Sequence, residues 1–84
     1  MKHKIEIAPL LDYYVIAVKD KETDNLVETF TLNESGTDML RLFCQDKDVT
    51  AVAQKMAVMY EAPLELVTKD VSAFAEKLQK KGLI

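Results

Sequence analysis

The sequence predicts an α+β fold: a two- to three-stranded antiparallel sheet followed by three helices, in the manner of a winged helix-turn-helix. Three observations carry this. Strand-like runs rich in β-branched and aromatic residues fill residues 4–32, and apolar residues recur every three to four positions from Asn33 onward. Polar clusters separate the runs, and strands that precede helices in this way segregate into an α+β arrangement. The 84 residues, 49% apolar and 30% charged, suit one small domain and leave no room for a second. Residues 1–84 are therefore read as one domain.

The elements follow in order. "KIEIA" alternates weakly and opens the sheet. Tyr13 to Val18, "YYVIAV", is bounded by Asp12 and by "KDKETDN", which reads as a hairpin loop. Adjacent Tyr13 and Tyr14 must point to opposite faces. Leu26 to Leu32, "LVETFTL", is the next strand; Leu26, Phe30 and Leu32 fall on one face, and Glu28 falls there too, at the rim or where that face is left open.

Helices are expected over 34–44, 49–61 and 63–81. Asn33, or Ser35 after it, can cap the first, whose apolar side is Met39, Leu40, Leu42 and Phe43. Asp48 caps the second, with a stripe of Val49, Val52, Ala53, Met56 and Met59 or Tyr60. Pro63 suits the first turn of the third. Leu64, Val67, Val71, Phe74 and Leu78 line it, Lys77, Lys80 and Lys81 suit its C-terminal dipole, and Gly82 ends it. Leu83 and Ile84 are expected to tuck back onto the core.

The chain offers little chemistry. A net charge of −3 argues against non-specific nucleic-acid binding, which needs a basic face; the Lys-rich ends "MKHK" and "KLQKKG" are too short to make one. Its two glycines, Gly36 and Gly82, cannot build a phosphate loop. A lone Cys44 excludes an internal disulfide and reads as a small, half-buried residue near a helix end. The only histidine, His3, sits near a terminus expected to fray, so no metal site is expected, and no cofactor. Glu61 and Glu65 serve the dipole of the third helix, and no carboxylate pair stands out for catalysis. No apolar run reaches a membrane span and no signal peptide is visible, so a cytoplasmic location is expected. The most informative feature is the sheet, because a sheet of this size leaves an edge open. "LVETFTL" has no Pro or Lys to blunt that edge, which suits it to docking an extended peptide unless a terminal strand covers it.

Three runs in order carry a resemblance: "TLNESGTDMLRLF", "DVTAVAQKMAVMYEAP" and "KDVSAFAEKLQKKGLI". Leu32 and Asn33 mark the first. Asp48, Val49, Val52, Ala53, Met56 and Tyr60 mark the second, and Asp70, Val71, Phe74, Leu78, Gly82, Leu83 and Ile84 the third. Over residues 26–84 the chain resembles the PqqD family, also called RiPP recognition elements. It departs from the family pattern at "CQDKD", which lacks a glycine, and at Thr50, where Glu is frequent.

The resemblance implies a bacterial, non-catalytic peptide chaperone of winged-helix type. It implies binding the leader of a ribosomally made precursor peptide, which adds as a strand to the third β-strand against the third helix. It further implies a modifying enzyme, often a radical S-adenosylmethionine protein, as second partner. Carried onto this sequence, the peptide-binding residues are Leu26, Val27, Glu28, Thr29, Phe30 and Thr31, with Val67, Asp70, Val71 and Phe74. Glu28 would then read a basic or polar leader residue, and Val71 and Phe74 are either contacts or core. The other readings are a winged-helix transcription regulator, which the mixed charge of the third helix disfavours, and an assembly domain on a larger enzyme. A monomer and an edge-strand dimer are both compatible with an open edge.

Overall fold

A computed structural model describes residues 3–84; Met1 and Lys2 of the Lys-rich start lie outside the described residues. The order is three strands, then three helices: β1 (His3–Leu10), β2 (Tyr13–Asp20), β3 (Leu26–Leu32), α1 (Glu34–Gln45), α2 (Val49–Met59) and α3 (Leu64–Lys80). This is the expected α+β arrangement, with three strands rather than two. The described residues form two compact units, residues 3–37 with Leu83 and residues 38–82 with Ile84.

The first unit holds an antiparallel meander in the order β1-β2-β3. Leu11 and Asp12 form a two-residue turn between β1 and β2. Leu11 adopts φ 56° there and is 97% exposed. Glycine normally takes such a position, so Leu11 pays a steric cost without any burial to offset it. His3, expected to fray, instead pairs with Asp20 at the start of the ladder. The β2–β3 loop falls where the polar run predicts. Asp20 Oδ1 accepts from the backbone N–H of Glu22 at 2.8 Å and of Thr23 at 3.2 Å. Asp24 takes the left-handed conformation, φ 62°, that Asp tolerates. The inner face of the sheet carries Ile5 and Ile7, then Tyr14, Ile16 and Val18, then Glu28, Phe30 and Leu32; Ile16 and Val18 are buried.

β3 passes into α1 with one residue between, because Asn33 caps at once. Its Oδ1 accepts from Gly36 N–H at 2.8 Å and from Ser35 Oγ at 3.2 Å. A side chain at Gly36 would meet Asn33 Oδ1 at 3.1 Å and Leu32 Cδ2 at 3.3 Å, so glycine there makes room for the cap. Thr37, fully buried, donates its hydroxyl to Asn33 O at 2.9 Å, which removes the cost of burying it.

The second unit is helical. Leu40 and Phe43 of α1, Val52, Ala53 and Met56 of α2, and Val71, Ala75 and Leu78 of α3 are its buried apolar residues. Phe43 and Phe74 place their ring centroids 6.2 Å apart at 37°, tying α1 to α3. Asp48 caps α2 by accepting from Thr50 N–H at 3.0 Å. Met59 and Tyr60, the expected end of the α2 stripe, are exposed instead, because the helix ends there. Tyr60 donates its hydroxyl to Asp38, which also meets Arg41 at 3.7 Å. Glu61 lies beyond α2 at φ 50°, so its place is a strained helix exit and not the dipole of α3; Glu65 is the acidic residue in that first turn. Pro63 stands one residue earlier than expected, at the N-cap with extended backbone and no side-chain capping bond. Gly82 closes α3 at φ 74°, and Leu83 is buried as expected.

Candidate functional site: an open strand edge

Which backbone groups β3 presents outward follows from the ladder. Asp20 N–H donates to Asn25 O at 2.9 Å, and Asp20 O accepts from Asp24 N–H at 2.8 Å. Asp20 therefore turns its polar backbone groups toward β3. Alternation along an antiparallel strand then turns Val18, Ile16 and Tyr14 the same way. Their partners are Glu28, Phe30 and Leu32. Those three direct N–H and C=O at β2, which leaves Thr29 and Thr31 directing theirs away from it. No other described strand pairs with that side of β3.

The side chains are sorted by the same register. Glu28, Phe30 and Leu32 are half-buried, while Val27, Thr29 and Thr31 are exposed. Leu26 departs from expectation. β2 residues Val18 and Lys19 are consecutive, yet they pair with Glu28 and Leu26. Val27 is thus an extra residue, a β-bulge, and one inserted residue moves everything before it to the opposite face. Leu26 consequently lies opposite Lys19 and is 60% exposed, off the face of Phe30 and Leu32. Glu28 lies opposite buried Val18 at a half-buried position.

Of the candidate residues on α3, Val67, Asp70, Val71 and Phe74 recur at spacings of three and four and share one helix face. They differ in access. Asp70 is exposed and Val67 and Phe74 are half-buried. Val71 is fully buried. Phe74 gives part of its ring to Phe43 and keeps part accessible.

No three His, Cys, Asp or Glu residues among the described residues lie close enough to hold a metal ion. Cys44 is exposed rather than half-buried, but desolvation of its thiol raises its pKa and so lowers its thiolate fraction. A shallow depression of about 420 Å³ in the second unit is lined by Leu42, Gln54, Lys55, Val58 and Met59, with Lys55 its one ionisable group. A single cation offers no acid–base pair. No described helix is long and apolar enough to cross a membrane.

Comparison with known proteins bears on family and fold. A PqqA binding protein of Gluconobacter oxydans (strain 621H) is 23% identical over 82 residues, covering 98% of this chain and 78% of that protein. The solved structure of TbiB1 in complex with the TbiA(beta) leader peptide superposes with a TM-score of 0.67 at 21% identity. It covers 99% of this chain and 93% of that one, which establishes a shared fold. The family model of coenzyme PQQ synthesis protein D matches residues 20–84, starting ahead of the three runs that carried the resemblance. The chain belongs to the PqqD family.

Proposed function

We propose that this protein is a non-catalytic chaperone for a precursor peptide. It binds the leader of a ribosomally synthesised precursor by adding it as a strand to β3, and it holds the precursor for a modifying enzyme of the radical S-adenosylmethionine type. The observation that carries the reading is the outer side of β3, where Thr29 and Thr31 direct their backbone groups away from β2. Family membership and the peptides named with the two similar proteins support it.

The two sheet edges are not equivalent. β1 carries Lys4 and Pro9, both of which discourage strand addition, whereas Leu26–Leu32 has neither. Main-chain pairing at β3 supplies affinity without demanding a sequence. Specificity then comes from side chains: Glu28 for a basic or polar leader residue, and Val67, Asp70 and Phe74 of α3, with Val71 supporting that helix from its buried side. Holding the leader raises the effective concentration of the attached core peptide at the enzyme, which is the whole energetic task of such a chaperone. Precursor and enzyme are both cytoplasmic in this scheme, and so is the chain.

The test is a backbone amide NMR titration with a synthetic leader of a candidate short precursor sought among the neighbouring genes. Shifts concentrated at residues 26–32 and 64–78 with micromolar or tighter affinity are expected. Shifts on adding the modifying enzyme alone, with none for the leader, would replace this reading by that of an assembly subunit.

A further inference from the structure

The opposite edge of the sheet has a property of its own. Residues of β2 that face β3 are Tyr14, Ile16, Val18 and Asp20, so Tyr13, Val15, Ala17 and Lys19 pair by hydrogen bonds with Leu10, Ala8, Glu6 and Lys4 of β1. His3, Ile5, Ile7 and Pro9 then direct their backbone groups outward. This explains how the strand accommodates Pro9, whose missing N–H would have pointed away from the ladder. It also leaves the outward groups of His3, Ile5 and Ile7 available, next to Ile5 and Ile7 side chains that are only half-buried.

We propose that β1 pairs antiparallel with β1 of a second copy about a twofold axis at Ile5. Charge complementarity selects this register. With Ile5 opposite Ile5 of the other copy, Lys4 faces Glu6 and Glu6 faces Lys4, and Ile7 faces His3. Centring on Ile7 instead would place Pro9 against Ile5 and Glu6 against Ala8, losing a donor and both charge pairs. Each copy prepares its side of the contact. Lys19 Nζ meets Glu6 at 2.9 Å, and Lys4 Nζ meets Asp24 at 3.6 Å. Joining the copies extends these into an alternating row, Lys19, Glu6, Lys4, Asp24, crossing the axis twice. Opposite charges directly across an antiparallel pair stabilise it and like charges destabilise it. An isologous contact of this kind closes at the dimer. Lys4, which deters foreign strands, thus admits a strand that carries glutamate in register. The inference uses the edge remote in strand order from β3 and stands independently of leader binding.

Sedimentation equilibrium of the wild-type protein with a pair of charge variants tests it. Lys4→Glu and Glu6→Lys each set like charges against one another in a self-pair, and each is expected to weaken self-association roughly tenfold. An equimolar mixture of the two restores opposite charges at both contacts and is expected to recover wild-type association. Amide exchange at Ile5 and Ile7 should slow as wild-type concentration rises. A wild-type protein that stays monomeric to millimolar concentration would overturn the proposal, as would a mixture that associates no better than its separate components.

Discussion

Replacing Thr29 by proline separates the outer edge of β3 from the fold that carries it. Thr29 directs its backbone groups away from β2, so the substitution removes no hydrogen bond of the β2–β3 ladder. It removes the outward N–H and sets a ring where an incoming strand must lie. A bound leader would lose the N–H bond and, through steric displacement, the neighbouring C=O bond. At ~0.5–1.5 kcal/mol net for each, the loss is ~1–3 kcal/mol, which raises Kd roughly 5- to 150-fold. Isothermal titration with the synthetic leader measures this, and Thr29→Ala, which keeps the N–H, serves as the control with near wild-type affinity. Phe30→Pro should behave differently: it removes a ladder bond to Ile16 together with a half-buried ring, and should unfold the sheet. If folded Thr29→Pro, judged by amide dispersion, bound the leader within twofold of wild type, strand addition at β3 would be refuted.

Three further outcomes are expected. Glu61→Gly relieves the left-handed conformation at φ 50° and should stabilise the protein by about 0.5–1 kcal/mol in urea unfolding. Val71→Ala, at a fully buried site, should cost about 2 kcal/mol in the same experiment and leave leader affinity nearly unchanged, whereas Phe74→Ala should lower both. Backbone N–H groups of Glu22 and Thr23 hold the Asp20 carboxyl below its ordinary value of 3.8. A depressed folded-state pKa gives stability that is present above the unfolded value and lost as pH falls through the folded one. The β2–β3 loop should therefore loosen below about pH 4, read as faster amide exchange at Glu22 and Thr23, and Asp20→Asn should weaken that dependence.

Much of this architecture is legible in local sequence because its determinants are local. Asn33 and Asp48 announce helix starts through side chains that reach backbone donors two or three residues away. "KDKETDN" announces a loop because Asp20 can bond its own following backbone. Features set by pairing were not legible. The bulge at Val27 exists only relative to β2, so Leu26 could not be placed on its proper face from alternation alone. Likewise, that Thr29 and Thr31 rather than Phe30 present outward backbone groups depends on the β2 register, fixed by the bonds of Asp20. Tyr60 and Asp38 lie 22 residues apart in sequence, and no periodicity reports such a contact. Val71 and Phe74 look alike in a helical stripe; only the folded packing shows the first fully buried and the second half-open beside Phe43.

The extra residue at Val27 also measures. An added strand needs evenly alternating partners, and a bulge interrupts that alternation. A ladder growing along β3 from Leu32 meets its last regular outward group at Thr29 and runs out two residues later. The protein would thus read only a short word, with the remainder of the leader trailing free of the sheet. Removing Val27 would lengthen the legible word, and a longer word would release more slowly, which would ill suit the carrier role proposed above.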